Sequence, residues 1–148
     1  MNQQPWHFTV ISNKDLLDQL SFDAKEIVKT HDLEYLRNYA NNEKFHIFYN
    51  APTIILVSHK EDAYEPKVDC AAATENILLA AQSLGIGSCW VEFVSYLFEK
   101  ETPIAKIYME KLGIPDGYKT IHAVALGYSK LETIPTPKHK ENTINFVD

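Results

Sequence analysis

Polar and apolar residues alternate with a period that changes along the chain, and each change predicts an element. His7 to Ile11 is a run of aromatic and β-branched residues after Pro5, which predicts a strand entered from an extended N-terminal arm. Ser12-Asn13 closes it. Over Lys14–Leu20 and again over Phe22–Tyr39, the apolar residues Leu16, Leu17, Leu20, Ile27, Val28, Leu33 and Leu36 recur at helical spacing with charges between them, predicting amphipathic surface helices. Thr53 to Ser58 is a continuous apolar run following Ala51-Pro52, too short for a helix and suited to a strand covered on both faces. Asp69 to Leu84 reads as a helix with Asp69 as N-cap and Gly85 as its stop. Its apolar residues run almost all the way round, so it belongs in the interior or at an interface between subunits. A short strand follows Gly87. Thr102-Pro103 then opens another helix, Leu112-Gly113 closes it, and Thr120 to Leu126 is a second fully apolar strand.

The order is strand, helices, strand, buried helix, short strand, helices, strand and tail, without an internal repeat. With few strands and no phosphate-binding Gly-x-Gly-x-x-Gly turn, an α+β layered domain fits better than a doubly wound sheet. A chain of 148 residues, 45% hydrophobic and 11% aromatic, encloses one core of ordinary size, and a single domain over 1–148 is expected. The formal net charge of -6 argues against nucleic-acid binding, which needs a basic face. Two cysteines, Cys70 and Cys89, without a Cys-x-x-Cys pair or paired histidines at metal spacing, suggest neither a disulfide framework nor a zinc site. The reducing cytoplasm is the expected compartment. No apolar run has the length of a membrane span.

Three clusters, far apart in sequence, carry candidate chemistry. Asn2 and Gln4 offer carboxamides just before Pro5-Trp6; if that segment is extended, both amides face one side. Trp90, Val91, Glu92 and Phe93 follow Leu84-Gly85-Ile86-Gly87-Ser88-Cys89, and backbone N–H groups there are potential donors to a ligand. Pro135-Thr136-Pro137-Lys138-His139-Lys140 is expected to be extended, with Lys138 and Lys140 on one face, roughly 7 Å apart, like two prongs for a phosphate. Each cluster has an ordinary reading too: a polar tail, core residues past a turn, and solvated lysines. Cys89 is expected to be a buried structural cysteine, and His122, within an apolar strand, a satisfied core histidine.

Asn2-Gln3-Gln4-Pro5-Trp6-His7-Phe8, Leu84 to Trp90 and Leu126-Gly127-Tyr128 together resemble the nitroreductase family of flavin mononucleotide oxidoreductases. The resemblance covers nearly the whole chain. That family usually carries an Arg-x-Ser-x-Arg segment and a helix ahead of the Asn-x-Gln-Pro-Trp motif, so Met1 is expected to match an internal methionine and the chain to be shortened at its start. The resemblance implies a three-layer sandwich with a central mixed β-sheet flanked by helices. It implies FMN as cofactor, held by Asn2 and Gln4 at the flavin's pyrimidine edge, by amides at Trp90, Val91, Glu92 and Phe93 near N5 and O4, and by Lys138 and Lys140 at the phosphate. The family often has glycine where this chain has Glu92-Phe93.

The same resemblance implies NAD(P)H as donor, nitroaromatics, quinones or similar flat electron-poor acceptors, and a ping-pong sequence without a catalytic acid or base of the protein's own. It also implies a homodimer with the site between subunits, the helix around Ala71 to Ala81 buried against its copy. Two other readings remain open at this point. One is a non-catalytic or weakly flavin-binding domain of the same fold; the other keeps flavin but performs reductive dehalogenation, decided by residues between Asp32 and Asn50.

Overall fold

The structure is a computed structural model and describes residues 2–130, 138, 140, 141 and 143–147. The chain runs β1 (Trp6–Ile11), α1 (Lys14–Val28), α2 (Glu34–Asn41), β2 (Thr53–Lys60), α3 (Pro66–Ser83), β3 (Gly87–Val91), α4 (Ser95–Phe98), α5 (Pro103–Lys111) and β4 (Tyr118–Gly127). The strands form one sheet in the order β1-β2-β4-β3.

Every pairing among the described residues is antiparallel, where the resemblance implied a mixed sheet. The connection through α3 explains the difference. β2 and β3 run in the same direction, as strands on either side of a crossover helix do, but β4 is inserted between them and pairs antiparallel with both. The α+β class and the layering stand.

Strand alternation sends successive side chains to opposite faces, and both faces are covered. On one, Ile11, Ile54, Leu56, Val91, Ala123 and Ala125 join Leu17, Leu20 and Ala24 of α1, Leu97 and Phe98 of α4, and Ala105 and Tyr108 of α5 in a single buried cluster. The other face is closed by α3, which buries Cys70, Thr74 and Ala81. Burial of aliphatic side chains of this kind contributes about 1.5–3 kcal/mol each.

Local signals fix the helix ends. Asn13 caps α1, its side chain accepting from the Leu16 N–H at 3.0 Å, and Thr102 caps α5 in the same way from Ala105 at 3.2 Å. The two Leu-Gly-Ile triplets close α3 and α5 with one motif. Ile86 N–H donates to Ala81 O and Gly85 N–H to Gln82 O; Ile114 N–H donates to Met109 O and Gly113 N–H to Glu110 O. Gly85 (φ 69°) and Gly113 (φ 65°) occupy the left-handed position that this cap requires.

Two boundaries differ from expectation. α1 passes through Ser21 without a break, because the buried Ser21 hydroxyl accepts from the Ile47 N–H at 3.1 Å and so is satisfied within the helix. The break falls instead at 29–33. α3 begins at Pro66 and not with Asp69 as cap: proline suits the first helical position, Glu65 sits before it at φ 50°, and Asp69 lies in the first turn, where a carboxylate favours the helix dipole.

Candidate functional site

The N-terminal arm is not extended up to Pro5. Gln4 has φ 48°, in the left-handed region, while Gln3 Oε1 accepts from the Tyr64 N–H at 3.0 Å and Pro5 O from the Lys60 N–H at 2.8 Å. Proline disfavours the right-handed helical region at the residue before it, and the tertiary anchor at Tyr64 turns that residue left-handed rather than extended. Asn2 and Gln4 are both exposed, but they do not project as alternate residues of one strand. Gln3, Gln4, Pro5, Lys60, Asp62 and Tyr118 surround a hollow of about 280 Å³ there.

The second cluster lies where β3 stops short of the full length of β4. Val91 is buried in the core, and Glu92 O accepts from the Ser95 N–H at 2.8 Å, closing a turn into α4. That turn leaves the N–H groups of Glu92 and Phe93 with no acceptor among the described residues. The Phe93 ring has its centroid 5.6 Å from that of Phe45 and 5.8 Å from that of Tyr96. That side chain therefore packs into an aromatic cluster. Exposed Glu92 borders a hollow of about 410 Å³ with Lys67, Tyr96, Lys119 and His122.

Trp90 is set by tertiary partners. Its ring lies 4.3 Å from that of His122, whose Nε2 is 2.6 Å from Thr74 Oγ1 on α3. Burial lowers the His122 pKa to about 4, so the ring is neutral at physiological pH. Trp90 Nε1 is buried with no hydrogen-bond partner among the described residues.

Within one protomer the carboxamides and the turn stand apart. β1 and β3 are the two edges of the sheet, three strand spacings or roughly 14 Å from each other. A groove of about 580 Å³ shares Tyr118 with the first hollow and Glu99, Lys119 and Thr120 with the second. Lys138 and Lys140 are exposed; Leu131–Pro137 and His139, including the two prolines expected to stiffen that stretch, lie outside the described residues.

The fold is matched by known proteins. The family model for the nitroreductase family matches residues 1–128. The chain belongs to this family. It is 34% identical to a nitroreductase from Bacteroides fragilis solved with bound FMN, with a TM-score of 0.89 over 100% of this chain and 79% of that one. An FMN-bound nitroreductase from Desulfitobacterium hafniense is 28% identical, with a TM-score of 0.88 over 100% of this chain and 78% of the other. A relative from Archaeoglobus fulgidus, provisionally named NADH dehydrogenase/NAD(P)H nitroreductase, is 32% identical over 88% of this chain and 65% of its own length. Another of the same name from Methanothermobacter thermautotrophicus is 29% identical over 86% of this chain and 57% of its own. The chain thus spans about two thirds or less of these curated relatives.

The two cysteines are distinct in character. Cys70 is buried, its pKa pushed up to about 11 chiefly by burial, with Sγ 3.8 Å from Ser58 O. Cys89 is exposed, not buried as expected, because β3 is an edge strand with no neighbour beyond it among the described residues. Among the described residues no cluster of metal-ligating side chains occurs, and no helix is long and apolar enough to cross a membrane. Sequence reasoning missed His46, whose role depends on backbone groups of a loop that only the fold closes.

Two groups of residues have the donor and acceptor chemistry that could hold a flavin. The free N–H groups of Glu92 and Phe93 are fixed donors for the electron-rich edge of such a ring, in a turn backed by packed aromatic side chains. The carboxamides of Asn2 and Gln4 are exposed at the opposite edge, available to a neighbouring copy.

Proposed function

We propose that this chain is an FMN-dependent oxidoreductase acting as a homodimer, with NAD(P)H as donor and nitroaromatics, quinones or similar flat electron-poor molecules as acceptors. The observation that carries it is the pair of unoccupied backbone donors in the Glu92–Phe93 turn, on a fold that superposes along its whole length on FMN-bound nitroreductases. Bound FMN would supply the redox chemistry, with donor and acceptor visiting the same ring face in turn. The protein's part is to bind and orient. Glu92 and Phe93 amides donate to the N5/O4 side, with Trp90 and Val91 anchoring the turn in the core. Asn2 and Gln4 of the partner copy pair with the pyrimidine edge, and Lys138 and Lys140 hold the phosphate.

Dimerisation is supported by α3, whose outer side leaves Val68 and Leu79 exposed although the helix is largely apolar. We take residues 1–148 as one nitroreductase-like domain and, given two free thiols, the cytoplasm as its compartment.

The test is FMN uptake. Purified protein mixed with FMN should co-elute with a visible flavin spectrum at the mass of a dimer. The double variant Lys138→Ala, Lys140→Ala should bind at least about tenfold more weakly, since each lost charge-assisted hydrogen bond is worth roughly 1.5–3 kcal/mol. A colourless protein that takes up no flavin would overturn the enzyme reading and favour a domain that keeps the fold without turnover. Uptake unchanged by the lysine substitutions would move the phosphate elsewhere.

A further inference from the structure

The loop 45–51 between α2 and β2 contains two successive non-glycine residues in the left-handed region, Tyr49 (φ 55°) and Asn50 (φ 56°). Such a backbone is costly and persists only where its surroundings hold it. Three side chains do so. Lys25 Nζ donates to the carbonyls of Asn42 at 2.7 Å and Phe45 at 2.9 Å. Ser21 Oγ accepts from the Ile47 N–H at 3.1 Å. His46 Nδ1 accepts from the N–H groups of Phe48 at 3.2 Å and Asn50 at 3.4 Å, bracketing the strained pair.

A ring nitrogen accepts only while it carries no proton. His46 is therefore neutral with its hydrogen on Nε2, which lies 3.4 Å from Asp18 Oδ1 without completing a hydrogen bond. Protonation would turn Nδ1 into a donor facing two other donors. The consequence reaches the candidate site, because the Phe45 ring of this loop packs on Phe93 at 5.6 Å, on Tyr39 at 5.1 Å and on Tyr49 at 6.2 Å.

We propose that His46 is a positioning residue whose unprotonated Nδ1 latches the 45–51 loop against the Phe93 turn, and that acid releases this latch. The charged groups facing it all come from α1. Asp18 favours the imidazolium, Lys14 and Lys25 oppose it, and burial, the largest influence, also opposes it, so the His46 pKa lies below the ordinary histidine value. The sign follows: the latched state is favoured above the value of the released ring, near 6.5, and loses that advantage as pH falls below it.

Amide hydrogen exchange tests this directly, with or without flavin. After correction for intrinsic rates, protection at Phe48 and Asn50 should fall by up to about tenfold from pH 7.5 to 5.5, the limit for one group with a released value near 6.5. His46→Asn places an oxygen acceptor near the position of Nδ1 and does not titrate, so its protection should be the same at both pH values. His46→Ala has no acceptor and should be poorly protected at both. Wild-type protection that does not change with pH, or an equal acid loss in His46→Asn, overturns the proposal. If His46→Ala fails to fold, the comparison of wild type with His46→Asn decides alone.

Discussion

Acid should weaken the fold through His122, and a replacement that cannot titrate should remove that share of the loss. His122 is 4% exposed, lies under α3 and bonds Thr74; burial holds its pKa at about 4, against about 6.5 for an unfolded histidine. The folded value is depressed, so the neutral ring's contribution is complete above pH 6.5 and is lost as pH falls from 6.5 towards 4. With 1.36 kcal/mol per pH unit of difference, that window gives a loss of roughly 2 kcal/mol between pH 7 and 4.5. This is a large fraction of the 5–15 kcal/mol typical of a domain. His122→Gln keeps an amide able to bond Thr74 but carries no proton to gain. Urea unfolding followed by circular dichroism at pH 7 and 4.5 should show wild type losing about 2 kcal/mol more than His122→Gln across that interval. Other titrating groups are common to both proteins and cancel. Equal losses would refute the argument, because His122 would then exchange protons alike in the folded and unfolded states.

A thiol reagent at mild alkaline pH should label Cys89 quickly and Cys70 only after denaturation, since Cys89 is exposed while Cys70 is buried with its pKa pushed up to about 11. Two fast thiols in the folded protein would contradict the burial of Cys70. Tyr108→Phe removes a hydroxyl that donates to Asp23 Oδ2 at 2.6 Å between α5 and α1. Asp23 keeps the Gln19 amide at 3.1 Å and is not stranded, so the expected cost is about 1–2 kcal/mol, read from the denaturation midpoint.

Much of the fold was legible because its signals are local. The helix start at Thr102-Pro103, the Leu-Gly-Ile stops and the two central apolar strands each depend on neighbours in sequence, and each was found within a few residues of its place. The misreadings arise where a distant partner decides. The Gln4 backbone sits beside a hydrogen bond across the fold from Tyr64 N–H to the Gln3 side chain, and the uninterrupted helix at Ser21 goes with one from Ile47 N–H. Candidate site residues were found as separate motifs, but their spacing in space was not: nothing between Gln4 and Trp90 in the sequence says that their strands are opposite edges of one sheet.

The chain by itself determined the glycine stops of α3 and α5, the strands that are buried on both faces and the family motifs, since turn chemistry and hydrophobic period act over a few residues. Strand order was decided only by tertiary structure, and with it the exposure of Cys89, the neutrality of His122 and the separation of the two groups of candidate residues. These depend on which surfaces exclude water from one another, a property of packed elements that no short stretch of sequence possesses.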